Sequence, residues 1–225
     1  MNEEQERRAE GIRRMLEDIA RETRLTAPFT GIEELDPRVM QAMAEVPRDA
    51  FVPAELRHRA WDNGPLPIGK GQTISQPFIV ALMTHLLEPE PRDRMLEVGT
   101  GSGYQGAVLS RLVDRVYSVE RVPELTAEAI RIYQELGYDN IETRVGNGFA
   151  GWEEHAPYDG IVVTAAASHV PPALVEQLAP GAHLVIPVGP PYGRQELLQI
   201  TRDQEGQVDT RDILPVAFVP MIDED

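Results

Sequence analysis

The sequence predicts an α/β fold: a doubly wound, mostly parallel, Rossmann-like sheet with an N-terminal helical addition and a C-terminal β-hairpin. Three observations carry this. From Arg94 onward, short apolar runs alternate with helical patterns, the rhythm of a parallel sheet covered on both faces. The first run, Met95-Leu96-Glu97-Val98, passes directly into Gly99-Thr100-Gly101-Ser102-Gly103-Tyr104-Gln105-Gly106 and then into a helical pattern. That is a strand, a tight turn and a helix N-terminus, where a ligand can lie against bare backbone. The last two extended runs have no helix between them, as in a hairpin.

Residues 3 to about 24 read as one amphipathic helix, with Ile12, Leu16, Ile19 and Thr23 at helical spacing and Asn2 as its cap. Glu3/Arg7, Glu4/Arg8, Glu10/Arg14 and Glu17/Arg21 form acid-first pairs four residues apart on the wet faces. Asp36-Pro37 opens a second helix that turns Val39, Met43 and Val46 inward and stops at Pro47. A short helical piece runs to about Trp61, and 63–76 is a Gly- and Pro-rich, conformationally restricted loop. Pro77 then starts a helix that ends before Pro89. Strands follow at 94–98, 115–119, 141–145, 158–163 and 182–187, with helices at about 104–112, 123–136 and 171–178. Gln195–Thr201 and Val208–Val219 make the closing hairpin. One domain spans 1–225: a helical part and loop over 1–91 and the ligand-binding sheet over 92–225.

The chain has 225 residues, no cysteine and a formal net charge of −16. Without cysteine, thiolate nucleophiles, zinc–thiolate sites and disulfides are excluded. All but one of the 21 Lys and Arg residues are arginine, Lys70 being the exception. Such an acidic balance argues against a surface that tracks nucleic-acid phosphates. The longest apolar run falls far short of the ~20 residues a membrane span needs. The polar, acidic start (Asn2-Glu3-Glu4) is unlike a signal peptide, so the expectation is a cytoplasmic protein, monomeric and without a membrane or nucleic-acid partner. The five histidines (His58, His85, His155, His169, His183) show no metal-ligand spacing, and no metal site is expected.

Three features sharpen the ligand. Glu120 lies 21 positions after Gly99, at the end of the second strand of the sheet, where an acid can hold both ribose hydroxyls. The alternative is a strand-end acid meeting a helix N-terminus. Gly146-Asn147-Gly148 offers open backbone and an amide where an adenine would lie. Glu97, in the last turn of the strand under the glycines, would repel a pyrophosphate and attract an ammonium group. Its alternative is a structural hydrogen bond to loop amides. Together they favour S-adenosylmethionine over a nicotinamide dinucleotide. A second site is Gly71-Gln72-Thr73-Ile74-Ser75-Gln76-Pro77. Ser75 just before a helix reads as an N-cap; with loop amides and the first helical turn it could also hold a carboxylate. Among the other candidates, His169 is placed near the crevice, Lys70 is a solvated loop lysine beside the second site, and Trp152 and Tyr158 pack.

The loop Gly71 to Pro77, with Leu96-Glu-Val-Gly-Thr-Gly-Ser-Gly-Tyr104, Val163-Thr-Ala-Ala-Ala167, Ile186-Pro-Val-Gly189, Val46-Pro-Arg48, Phe51-Val-Pro53 and Phe218-Val-Pro220, resembles the protein-L-isoaspartate O-methyltransferases. The likeness runs in order from about residue 36 to 222. The glycine motif alone is common to class I methyltransferases; the Thr-Ile-Ser-Gln-Pro loop is the family-specific part.

The resemblance implies methyl transfer from S-adenosyl-L-methionine to the free α-carboxyl of L-isoaspartyl residues in damaged proteins and peptides. The ester then collapses to a succinimide that reopens partly to aspartate. It maps the active-site serine onto Ser75 and substrate contacts onto Thr73 and Ile74. Cofactor contacts fall on Glu97, Gly99, Gly101, Ser102, Gly103, Glu120, Asn147 and Gly148. Asn147 departs from the family pattern, which has Asp there. A carboxylate acceptor is already ionised at neutral pH, so no general base is required. The competing readings are a class I methyltransferase with a small-molecule acceptor and a non-catalytic S-adenosylmethionine-binding module.

Overall fold

The computed structural model describes residues 3–191 and 193–223; the cap expected at Asn2 lies outside them. Helix α1 spans Glu3–Thr30, a turn and a half beyond the expected end. The hydroxyls of Thr23, Thr26 and Thr30 donate to carbonyls four residues back, and the helix stops where Gly31 turns left-handed at φ +69°. Its buried face is Gly11, Met15, Ile19 and Thr23, so Ile12 and Leu16 sit at the margin rather than inside. The reason is a neighbour the pattern could not reveal: Trp61 packs on Gly11, where a Cβ would lie 2.4 Å from its ring. Of the expected ion pairs, Arg7–Glu3 forms at 3.8 Å, whereas Arg8, Arg14 and Arg21 pair with Asp49, Asp62 and Asp18. Two of these tie α1 to the segment after the next helix.

Helix α2 (Pro37–Glu45) begins as expected, Asp36 Oδ1 accepting from the Arg38 N–H at 2.7 Å. Two 3-10 turns, Arg48–Phe51 and Ala54–Arg59, follow. Arg48 is wholly buried: its guanidinium donates to the Ala60 and Gly64 carbonyls and lies 5.0 Å from the Tyr104 ring centroid. The stretch read as a loop contains a small antiparallel hairpin, β1 (Leu66–Gly69) and β2 (Gln72–Ile74). Period-two alternation is hidden there by prolines, and the turn needs Gly69, Lys70 and Gly71 all at positive φ, which two glycines make accessible. Helix α3 (Pro77–Leu86) is buried on nearly all sides.

Among the described residues the main sheet has seven strands: β3 (Arg94–Val98), β4 (Arg115–Glu120), β5 (Ile141–Val145), β6 (Tyr158–Val163), β7 (Leu178–Val188), β8 (Gln195–Arg202) and β9 (Val208–Val216). Helices α4 (Tyr104–Ser110), α5 (Pro123–Leu136) and α6 (Pro172–Glu176) connect them. The order is β5-β4-β3-β6-β7-β8-β9. The first five strands in that order run parallel, and β7-β8-β9 form the antiparallel end, so the doubly wound sheet with its C-terminal hairpin is present. β7 begins four residues earlier than expected, through an irregular register against β6, and α6 is correspondingly short. Two apolar clusters cover the sheet. One gathers α1 to α5 with Met95, Val116, Val162 and Val185; the other gathers Leu96, Val98, Ile161, Val163, Trp152 and Tyr158. Trp152 and Tyr158 pack as expected, their rings 5.7 and 5.9 Å from Tyr117. The winding order reverses between the parallel neighbours β3 and β6, the switch point where an open α/β sheet leaves a crevice at its strand ends. No helix among the described residues is long and apolar enough to cross a membrane.

Candidate active site

A cavity of about 360 Å³ opens at that switch point. Its floor is the glycine turn, from Val98 to Ser102. Val119 to Val122 form one wall, the β1–β2 hairpin with Ser75 a second, and Gly148, Thr164 and the segment Val219–Ile222 the third. The glycines are required by geometry. Gly99 sits at φ +95° because its backbone crosses under Thr164, whose Oγ1 would lie 2.4 Å from a Cβ there; that hydroxyl donates to the Gly99 carbonyl at 2.5 Å. Gly103 caps α4 at φ +89°, its carbonyl accepting from the Tyr133 hydroxyl at 2.8 Å. Gly101 is the open one, with nothing nearer than 3.9 Å to a Cβ, so ligand atoms can approach its backbone. Ser102 lines the cavity and its Oγ accepts from the Tyr104 N–H at 3.2 Å.

Glu120 lines the cavity, and both of its alternatives meet in one side chain. Oε2 accepts from the Gly101 N–H at 2.8 Å and Oε1 from the Val122 N–H at 2.9 Å, at the start of α5. The carboxylate is thus fixed at the rim by two backbone amides, which leaves its remaining lone pairs for a diol.

Glu97 is placed differently from the direct contact its position suggested. It is fully buried and absent from the cavity wall. Alternation along β3 sends Val98 to the cavity and Glu97 to the opposite face, beneath α4. There Oε2 accepts from Ser118 Oγ at 2.5 Å, and Oε1 has no hydrogen-bond partner among the described residues. Ser118 in turn contacts Thr100 Oγ1 at 2.5 Å, and Thr100 lines the cavity. Burial, aided by the nearby Glu120 charge, pushes the Glu97 carboxyl up to about 8, against the opposing hydrogen bond from Ser118. At neutral pH it carries its proton.

Asn147 also turns away from the cavity. Its Oδ1 accepts from the Phe149 N–H at 2.9 Å and its Nδ2 donates to Asp223 Oδ1 at 3.2 Å. It therefore fastens the C-terminal segment, while Gly148 beside it faces the ligand space. Gly148 has to be glycine: a Cβ would meet Val98 Cγ1 at 2.6 Å and Met221 Cε at 2.8 Å.

Ser75 is not a cap. Gln76 occupies that position, without a side-chain capping bond, and the Phe78 N–H in the first turn of α3 is taken by Asn63 Oδ1 at 3.1 Å. The Ser75 hydroxyl accordingly has no hydrogen-bond partner among the described residues. It lies where the cavity meets a neighbouring groove, lined by Thr73, Ser75, Gln76, Phe78 and residues 214–219. Thr73 borders both spaces, and Ile74, with its side chain buried, borders the cavity. Lys70, at the hairpin tip, lines the cavity and pairs with Glu124 of α5 at 2.6 Å. His169 is exposed, 5.7 Å from the Phe149 ring and outside the cavity. Thr100, Thr164, Met221 and Ile222 are site residues that spacing did not disclose.

The family model described as "Protein-L-isoaspartate(D-aspartate) O-methyltransferase" matches residues 30–225. A protein-L-isoaspartate O-methyltransferase 2 of Syntrophobacter fumaroxidans is 53% identical over 208 residues, covering 92% of this chain and 84% of that protein. One from a Polaromonas species is 55% identical over 207 residues, covering 92% and 98%. A solved Plasmodium falciparum structure of the same family description, in complex with S-adenosyl-L-homocysteine, superposes with a TM-score of 0.75 at 26% identity, covering 92% of this chain and 96% of that one. The chain belongs to the protein-L-isoaspartate(D-aspartate) O-methyltransferase family.

Proposed function

We infer that the protein methylates the free α-carboxylate of L-isoaspartyl residues in damaged proteins and peptides, with S-adenosyl-L-methionine as donor, as a single methyltransferase domain. The observation that carries the site assignment is the unpaired Ser75 hydroxyl at the junction of cavity and groove. A donor molecule in the one and a peptide in the other meet there.

The residues present suit the donor. Gly101 leaves its backbone open, Gly99 and Gly103 hold the turn in shape, Ser102 borders it, and Glu120 presents a fixed carboxylate to the ribose. Val98, Val119, Gly148, Met221 and Ile222 line an apolar part of the cavity that would hold the adenine. Glu97 acts at one remove, through Ser118 and Thr100. Bound S-adenosyl-L-methionine supplies a methyl group on a sulfonium, which leaves as neutral S-adenosyl-L-homocysteine once a carboxylate oxygen has taken the methyl carbon.

No proton moves in that transfer. The chain's own contribution is therefore to bind, align and dry the reactants, an effect worth several powers of ten. The Ser75 hydroxyl donates to the acceptor carboxylate and fixes which oxygen faces the donor; it is not a nucleophile. Thr73 borders the groove and Ile74 the cavity beside it. The acidic surface fits an enzyme that acts on proteins in the cytoplasm, as a monomer, rather than on nucleic acid or at a membrane. The test is methyl incorporation into an isoaspartyl peptide and its aspartyl twin. Label in the isoaspartyl peptide alone is expected. Equal label in both would return the protein to the broader methyltransferases, and none in either would leave a binding module.

A further inference from the structure

The groove beside Ser75 has one charged side chain among the described residues that line it, Glu22 of α1. Glu22 lies before residue 30, where the family match begins, and no motif in the sequence singles it out. Its carboxylate is engaged from one side only. Oε2 accepts from Asn63 Nδ2 at 2.5 Å and from Gln76 Nε2 at 3.0 Å, and Oε1 takes no hydrogen bond from any described residue.

The two donors are the two ends of the acceptor loop. Asn63 precedes the β1–β2 hairpin and Gln76 follows Ser75 directly. Asn63 also closes the loop onto α3 through the Phe78 N–H. One oxygen of Glu22 therefore draws together the entry and exit of the segment that carries Ser75. The other takes none of these bonds, and Glu22 borders a groove whose other lining residues are uncharged, among them Pro65, Phe78, Ile79 and residues 214–219.

We propose that Glu22 is a positioning and specificity-determining residue, which sets the Ser75 loop and selects isoaspartyl peptides that carry a cationic side chain next to the damaged residue. This deepens the acceptor assignment above and rests on it. An arginine or lysine flanking the isoaspartate enters the groove toward Oε1, where a partly desolvated carboxylate attracts it; a flanking glutamate meets the same charge and is repelled.

The experiment uses isoaspartyl peptides that differ only in arginine, glutamine or glutamate, placed immediately before or after the isoaspartate, at fixed ionic strength. In the unaltered protein kcat/KM is expected to fall from arginine to glutamine to glutamate at one of the two positions. The spread should be about tenfold, the order expected of one half-exposed charge pair. Glu22→Gln should level that series. Glu22→Ala, which releases both Asn63 and Gln76, should lower kcat on every peptide with affinity for S-adenosyl-L-homocysteine unmoved. Glu22→Gln, which keeps an acceptor oxygen, should restore part of that loss. A charge series that persists in Glu22→Gln, no series at either position, or an unchanged kcat in Glu22→Ala overturns the proposal while the acceptor assignment stands. Binding of S-adenosyl-L-homocysteine with no methylation of any peptide by the unaltered protein would overturn both.

Discussion

The cavity proposed for the donor and the loop proposed for the acceptor are built in opposite ways. The floor of the donor cavity comes from one short stretch, Val98 to Ser102, held by backbone contacts: Gly99 under Thr164, Gly103 under Tyr133, and Gly101 tied to Glu120. The acceptor side is assembled from segments spread along the chain. α1 supplies Glu22, the segment after α2 supplies Asn63, the hairpin supplies Thr73, and residues 214–219 close the groove. Fixed backbone suits a ligand that never changes. An assembly of side chains suits acceptors that vary in everything but one carboxylate, and it concentrates specificity where the sequence is least patterned.

Each side can be broken separately. The largest effect is expected from Gly99→Ala. Left-handed backbone without glycine costs about 1–3 kcal/mol, and the added Cβ overlaps Thr164 Oγ1 at 2.4 Å. Thermal unfolding should fall by several degrees and S-adenosyl-L-homocysteine binding should be lost. A variant that binds normally would show that the floor is less constrained than its geometry.

Next comes Glu97, which the fold holds protonated at neutral pH. Its carboxyl is raised to about 8 in the folded chain from an ordinary 4.5. The folded state thus retains a proton that the unfolded state has released. Stability from this group is full below about pH 4.5 and is lost as pH rises toward 8, by at most about 1.4 kcal/mol per pH unit. Melting followed from pH 5 to 9 should decline more steeply in the unaltered protein than in Glu97→Gln, which keeps the shape without titrating. Parallel curves would place the carboxylate in its charged form throughout. The smallest effect belongs to Asn147→Asp, which sets a second carboxylate against Asp223 where an amide now donates at 3.2 Å. Affinity for S-adenosyl-L-homocysteine should drop about threefold, as for an exposed charge contact. Asp223→Asn in the same chain should restore it.

The donor side was legible in the sequence because its logic is local. Glycines that the backbone demands, and an acid 21 residues on at a strand end, announce themselves by spacing, and the alternation of β3 to β7 followed from apolar runs buried on both faces. Side-chain direction was less legible. Glu97 stands in the right turn of the right strand, yet pleat alternation carries it under α4. Asn147 stands at the right strand end, yet its amide is spent on Phe149 and the C-terminal segment. Ser75 was placed by resemblance, while its local reading as a cap failed because Gln76 holds that position and Asn63 already satisfies the Phe78 N–H. The hairpin at 66–74 escaped notice since Pro65 and Pro67 mask its alternation. The inward face of α1 was shifted because Trp61, thirty-eight residues beyond Thr23, chooses Gly11 to pack on.

The division between a donor cavity and a separate acceptor loop is tested most directly by Ser75→Ala, with turnover on an isoaspartyl peptide and affinity for S-adenosyl-L-homocysteine measured on the same preparation. A hydroxyl that only orients the acceptor should cost about a hundredfold in kcat while the cofactor product binds as before. Loss of that binding with turnover intact at saturating donor would contradict it.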